Sequence, residues 1–151
     1  DKSNIQLKGF IDRIDEVRDV VRIIDYKSGG GTTQFTSVEA LFDKADTDRS
    51  KAVMQVFMYA WMYNRSVQLS TAIQPGIYYM RTLFLPLSIL ELPSYRPVQN
   101  RTGFGLRQLS HGFEDSLRNC LDEIFEHKNP IRQQTRTAKC MYCPFKDICG
   151  K

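Results

Sequence analysis

Two apolar, strand-like runs near the start of the chain are separated by only two residues, and this spacing constrains the fold more than any other feature. The runs extend from about residue 4 to 17 and from about residue 20 to 27, and both are rich in Ile, Val and Phe with partial alternation. Arg18 and Asp19 lie between them. If this pair is a two-residue hairpin loop, residue i faces residue 37 − i. The sequence therefore predicts an antiparallel hairpin with a defined register.

This register brings carboxylates together. It places Asp15 opposite Arg22, which is a stabilising cross-strand pair, and Asp12 opposite Asp25. Directly opposed like charges destabilise a sheet unless a cation lies between them, and Lys27 shares the strand face of Asp25. Oxygen ligands without His or thiolate favour Mg²⁺ or Mn²⁺, and such an ion beside an ammonium suits phosphodiester hydrolysis. The alternative is a salt bridge between Lys27 and one carboxylate, with the other at the rim.

The rest of the chain predicts a short helix, two long helices and two further strands. In chain order these are a short helix around 37–44, a helix at 49–65, two strands within 73–92 and a helix at 109–127. Ser50 or Asp48 is the expected cap of the first long helix, and Pro75 and Pro86 are expected at strand edges. The order β, β, α, β, β, α predicts an α/β domain with a mixed sheet. A length of 151 residues with 42% hydrophobic content predicts a single domain.

Charge and hydropathy limit the classes of partner that we expect for this protein. No apolar run approaches the roughly 18 residues that span a bilayer, and the start does not read as a signal peptide, so we expect a soluble, cytoplasmic protein with no membrane partner. A net charge of +4 permits a polyanionic partner without requiring one. Basic residues crowd the final quarter, as a solvated tail or as phosphate contacts: Lys128, Arg132, Arg136, Lys139 and Lys146.

The segments "GFID" and "IIDYKSG" resemble the PD-(D/E)XK nuclease superfamily, specifically the nuclease domains of the RecB and AddB type. There a GxxD strand is followed by an hhDYKSG strand, where h is apolar. The resemblance implies a restriction-endonuclease-like core with a mixed central sheet flanked by helices. It makes Asp12 and Asp25 metal ligands, with the carbonyl of Tyr26 as a further ligand, and Lys27 the catalytic lysine.

The family also carries a QxxxY signature on the next helix, present here as "QVFMY". Gln55 and Tyr59 fall one helical turn apart, and the resemblance implies that they position the lysine or the DNA strand. The alternative is an amide and a phenol that form their hydrogen bonds inside a buried helix.

Family members usually have an upstream helix with a metal-binding His. The chain begins at Asp1, close to the first strand, so we expect a fragment that lacks this helix. His111 and His127 are expected at the surface.

The tail at residues 140–149 contains Cys140, Cys143 and Cys149 in a C-x2-C-x5-C array. Without a secretory signature, metal ligation is favoured over disulfides, although three thiolates do not complete a tetrahedral zinc site or a four-cysteine cluster. AddB and related CRISPR-associated adaptation exonucleases, which the chain resembles, imply a [4Fe-4S] cluster in the intact parent protein. For the chain itself, free thiols and bound zinc or iron both stay open. Cys120 is expected to be a buried small hydrophobe.

Three hypotheses of function follow. The first is a Mg²⁺-dependent DNA nuclease, an exonuclease by preference, from a bacterial helicase-nuclease of double-strand break repair, with DNA and a helicase subunit or domain as partners. The second is a catalytically inactive DNA-binding or scaffold module of the same fold. The third, a small cysteine-metal interaction domain, leaves Asp12 and Asp25 unexplained.

Overall fold

A computed structural model describes residues 5–46, 49–67, 71–82, 95–97, 99–100, 106–125 and 140–150. The strands are β1 (Arg13–Val17), β2 (Val20–Lys27), β3 (Gln34–Phe35), β4 (Ala72–Tyr79), β5 (Tyr95–Pro97) and β6 (Gln99–Asn100). The helices are α1 (Val38–Phe42), α2 (Lys51–Val67) and α3 (Leu106–Phe125), with a 3-10 turn at Met80–Thr82. The chain forms two compact units, Asp1–Arg118 and Asn119–Lys151. The expectation of one domain over residues 1–151 stays a prediction.

The hairpin of β1 and β2 has the predicted register. Asp15 lies opposite Arg22, and the two loop residues Arg18 and Asp19 have φ angles of 50° and 59°. Two consecutive left-handed residues are the signature of a type I′ turn, whose twist matches that of the flanking strands. The two-residue loop therefore forms without the usual Asn or Gly. The first strand is shorter than expected, however, because β1 begins at Arg13 rather than near residue 4.

Asp15 joins the two strands of the hairpin through charge. Its carboxylate accepts hydrogen bonds from Arg22 Nε at 2.5 Å and Arg22 Nη2 at 2.7 Å, and it also pairs with Arg13 at 2.7 Å. The hydrogen bonds from Arg22, with the nearby positive charges, hold the pKa of Asp15 below its ordinary value. A lowered pKa in the folded state means that the stabilisation is present above the unfolded-state pKa and is lost as the pH falls.

We therefore expect Asp15→Asn to lower the free energy of unfolding by about 0.5 to 1 kcal/mol at pH 7, because the pair is partly exposed and screened. The difference from wild type should shrink as the pH falls through the lowered pKa of Asp15, where the wild-type carboxylate also becomes neutral. Urea denaturation at pH 7 and near pH 3 measures both values. The exposed neighbour Glu16, as Glu16→Gln, serves as control. An equal deficit at both pH values would contradict a charge-based contribution.

The principal sheet is mixed and has four strands in the order β1-β2-β4-β5. Strands β2 and β4 are parallel, whereas β1 and β5 pair antiparallel with their neighbours; β3 and β6 form a separate parallel pair. The predicted mixed sheet is thus confirmed. The expectation that Pro75 marks a strand edge is wrong, because it lies within β4 opposite Ile23. The described β4–β5 pairs begin only at Gly76, one residue later. Pro86 lies outside the described residues.

Helix α2 packs its apolar face against β2 and β4. Ser50 is its cap, since the Ser50 hydroxyl accepts a hydrogen bond from the Val53 N–H at 3.2 Å. Phe57 is fully buried and its ring lies 5.4 Å from that of Phe113 in α3. The short helix predicted around 37–44 is α1, and α3 corresponds to the helix predicted at 109–127. In the part of the chain that the structure describes, no helix has the length and apolar character needed to cross a membrane.

Candidate active site

The buried carboxylate of Asp25 is the centre of the site. It is 3% exposed and is the only charged residue among the described ones that is buried. Asp25 Oδ2 lies 2.8 Å from Lys27 Nζ, as an ion pair that both residues form from the same face of β2. The contact lacks the geometry of a hydrogen bond, and Oδ2 accepts none from the described part of the chain. The Lys27 ammonium compensates the charge of this oxygen, but the oxygen accepts no hydrogen bond from any described residue, so it is a candidate for a cation ligand.

A second chain of contacts holds the lysine. Lys27 Nζ donates to Gln55 Oε1 at 2.8 Å, and Gln55 Nε2 donates to the Tyr59 hydroxyl at 2.9 Å. Because the ammonium can only donate, the amide oxygen faces Lys27, and the Tyr59 hydroxyl accepts from the other end of the amide and holds it in place. The structure thus brings together three residues that the sequence pattern singled out, two from α2 and one from β2. Both α2 side chains are half-buried rather than enclosed in the core.

Gly9 packs against Tyr59, the last residue of this series of hydrogen bonds. A Cβ atom at Gly9 would overlap the aromatic ring of Tyr59, so only glycine allows the backbone and the ring to lie this close. The glycine of "GFID" therefore packs against the tyrosine of "QVFMY". The sequence alone did not predict this contact. Gly9 and Tyr59 lie 50 positions apart, so no local pattern indicates that they pack together.

Asp12 lies beside the site in a different way than expected. The described ladder begins with Arg13 opposite Ile24, so Asp12 precedes β1 and does not form the predicted strand pair with Asp25. Instead, Asp12 Oδ2 accepts a hydrogen bond from the Tyr26 N–H at 2.8 Å. This bond ties the exposed carboxylate to the residue that follows Asp25. The two acidic residues are therefore brought to the same end of β2, although by a backbone hydrogen bond rather than by strand pairing.

The donor set fits a hard divalent cation. It offers the buried Asp25 Oδ2, which accepts no hydrogen bond from the described residues, and the exposed Asp12 carboxylate, of which one oxygen is engaged by Tyr26. The described residues contain no group of three His, Cys, Asp or Glu side chains arranged to hold a metal. A cation here would take its remaining ligands from backbone carbonyls, water or substrate, as Mg²⁺ commonly does. The Tyr26 carbonyl as a ligand stays a prediction.

The cysteine array folds as a series of turns within the second unit. The Cys143 N–H donates to the Cys140 carbonyl at 3.0 Å, and the Cys149 N–H donates to the Lys146 carbonyl at 3.1 Å. Among the described residues, Cys140, Cys143 and Cys149 belong to no group of three His, Cys, Asp or Glu side chains that could hold a metal ion. Cys120 is half-buried rather than buried as expected. The [4Fe-4S] cluster of the parent protein stays a prediction.

Several predicted features fall where the structure gives no side-chain description. His127 and most of the basic cluster of the final quarter lie outside the described residues, and so does the side chain of His111. Lys146 is described and exposed. The predicted surface position of the histidines and the phosphate-contacting role of the basic cluster therefore stay predictions.

A mixed sheet flanked by helices, with an acidic residue and a lysine at the end of a central parallel strand, defines a restriction-endonuclease-like fold. Residues 1–150 match the family model of the PD-(D/E)XK nuclease superfamily. The chain belongs to this superfamily. Comparison with curated proteins and with solved structures returned no match. The expected fold is confirmed, whereas the RecB and AddB subtype stays a prediction.

Proposed function

We propose that this chain is the nuclease domain of a bacterial helicase-nuclease, which hydrolyses DNA phosphodiester bonds with Mg²⁺ or Mn²⁺ as an exonuclease during double-strand break repair. Membership of the superfamily supports nuclease activity at a coarse level. One observation supports the metal-dependent chemistry: the buried Asp25 oxygen that faces Lys27 and accepts no hydrogen bond from the described residues. The resemblance of "GFID" and "IIDYKSG" to RecB-type domains supports the finer assignment.

Asp12 and Asp25 are the residues that would hold the cation, with the Tyr26 carbonyl as a further ligand. When bound, such an ion lowers the pKa of a water ligand and stabilises negative charge on a phosphate. Lys27 has three N–H donors; Gln55 accepts from one, and the ion pair with Asp25 directs the ammonium toward the carboxylate. A remaining donor can bind a substrate phosphate oxygen and stabilise the charge that develops there.

Residues of α2 and the segment before β1 act by positioning. Tyr59 orients the Gln55 amide, the amide orients Lys27, and Gly9 lets the Tyr59 ring lie against the backbone. Long lysine side chains have about 2 kcal/mol of rotamer entropy, so two fixed partners reduce the cost of holding the ammonium in one place. These contacts support a lysine that is oriented before substrate arrives.

The proposal extends to the parent protein. There a helicase subunit or domain would deliver the DNA strand, and a [4Fe-4S] cluster that includes Cys140, Cys143 and Cys149 would stabilise the tail. The cytoplasm is the proposed location, where reduced thiols favour metal ligation over disulfides.

Calorimetric titration with Mn²⁺ tests the site on this chain. We expect binding by wild type and no binding by Asp12→Asn/Asp25→Asn, which removes both anionic ligands but keeps their shape. The matched control is Glu16→Gln/Asp19→Asn, which neutralises two carboxylates of the same hairpin away from the site. Equal Mn²⁺ binding by all three proteins would remove the assignment of the metal ligands.

Cleavage of a linear, end-labelled DNA in Mg²⁺ tests the reaction itself. Progressive loss of label with the wild type, and none with the double variant, is the expected result. Binding of DNA and of Mn²⁺ without any cleavage would favour the second hypothesis, a DNA-binding or scaffold module of the same fold.

A further inference from the structure

Phe10 is an exposed aromatic side chain beside the candidate active site. It is 89% exposed, although a phenylalanine gains free energy when its ring leaves water. The chain is anchored on both sides of this residue, because Gly9 packs against Tyr59 and Asp12 accepts a hydrogen bond from the Tyr26 N–H. The fold thus holds a large apolar ring in solvent two residues from a proposed metal ligand.

A cation lies two residues before this ring. Lys8 is exposed and forms no ion pair with any described residue. Arg13 and Arg22 of the hairpin that follows, in contrast, both pair with Asp15. An aromatic face with a nearby ammonium matches the two parts of a nucleotide, the base and the phosphate.

A nucleotide base can stack on an exposed aromatic ring only when the base is unpaired. Base faces are covered by stacking in a duplex, whereas a single strand offers each face to an aromatic side chain. A protein oligomer or peptide partner would use the apolar ring but would have no specific need for the cation beside it. Phe10 lies two residues before Asp12 in the chain, so a nucleotide bound by its ring would lie near the proposed metal ligand.

We propose that Lys8 and Phe10 form a binding site for a single-stranded nucleotide of the substrate, in which Phe10 stacks on an unpaired base and Lys8 contacts its phosphate. This inference rests on the proposed function and deepens it, since it assigns single-stranded DNA, or a frayed end, as the form in which the strand reaches the acidic pair. Duplex DNA with closed ends would not occupy the site.

The test combines a protein change with a DNA change. Wild type and Phe10→Ala are titrated with a labelled single-stranded oligonucleotide and with the same oligonucleotide carrying consecutive abasic positions. The titrations use Ca²⁺ in place of Mg²⁺, and a gel checks that the strand stays intact. Removal of the bases should weaken binding to wild type by about 5- to 150-fold, which corresponds to the 1 to 3 kcal/mol typical of base-aromatic stacking. Phe10→Ala should bind both strands equally, at the level of wild type with the abasic strand.

Two further variants complete the design. Tyr142→Ala removes an equally exposed ring, at 89%, from the second unit and should keep the full preference for strands with bases. Lys8→Ala should keep that preference but lower the dependence of log K on log salt by about 0.7, the value for one phosphate contact on a single strand. The melting temperatures of the Phe10 and Lys8 variants should match that of wild type, because both side chains are exposed.

The outcomes separate the two proposals. If wild type cleaves DNA and Phe10→Ala still distinguishes the two strands as wild type does, the stacking site is overturned while the nuclease assignment stands. If wild type binds neither strand and cleaves no DNA, both proposals fail. Loss of the preference in Phe10→Ala alone, with wild-type behaviour in Tyr142→Ala, supports the site.

Discussion

Replacement of Asp25 by alanine is expected to abolish DNA cleavage, by roughly 10³-fold or more, while the protein stays folded. The substitution removes a proposed metal ligand and also the partner that orients Lys27. The fold should survive because the change deletes a buried charge rather than exposing one, and the ammonium that remains belongs to a side chain that is 30% exposed and can turn toward water.

Single-turnover cleavage of an end-labelled linear DNA measures the effect, and circular dichroism confirms the fold. Asp25→Asn is the second variant, since it keeps the shape of the side chain and avoids a cavity. Glu16→Ala is the matched control, an exposed acidic residue of β1 that should leave the rate unchanged. Undiminished cleavage by both Asp25 variants would remove this residue from the mechanism.

The hairpin was predictable because its determinants are local. A two-residue spacing sets the register, and the pairing of Asp15 with Arg22 is a chemical check on it. The pairing of Gln55 with Tyr59 on α2 was equally predictable, because residues one helical turn apart share a face. In both cases the informative residues lie within one element or at a turn.

The remaining parts of the site depend on contacts between distant segments. The periodic pattern predicted a first strand that includes Asp12. In the structure, the β1–β2 pairing begins at Arg13, and the Asp12 carboxylate accepts a hydrogen bond from the Tyr26 N–H. A hydrophobic pattern does not reveal where a side chain competes with a neighbouring strand for a backbone N–H. The packing of Gly9 against Tyr59 and the placement of Pro75 inside β4 are set by neighbours that only the folded chain supplies.

Removal of Lys27 should produce the second large effect, on stability as well as on cleavage. In Lys27→Met, the buried Asp25 carboxylate loses its cation and has no other described partner for Oδ2. Breaking a fully buried pair in this way costs about 3 to 5 kcal/mol. Because Lys27 is 30% exposed and the pair is partly solvated, we expect a loss of about 2 kcal/mol in the free energy of unfolding, measured by urea denaturation in EDTA.

The asymmetry between the two partners makes this prediction specific. Asp25→Asn, which leaves the partly exposed lysine, should destabilise the protein less than Lys27→Met, which leaves the buried carboxylate. The double variant Asp25→Asn/Lys27→Met contains neither charge and should recover much of the stability that Lys27→Met loses. If the double variant is as unstable as Lys27→Met, the loss arises from packing of the lysine stem rather than from the unpaired charge.

A divalent cation provides the link between this stability effect and the proposed chemistry. If Asp25 binds the metal, millimolar Mg²⁺ should stabilise Lys27→Met more than it stabilises wild type, because the ion replaces the missing positive charge next to the carboxylate. The added Mg²⁺ should leave Asp25→Asn/Lys27→Met unchanged, since that variant lacks the anionic ligand. Cleavage should nevertheless stay abolished in Lys27→Met, because a restored fold does not restore the ammonium that we propose binds the substrate phosphate. Equal stabilisation of all variants by Mg²⁺ would place the cation elsewhere on the protein.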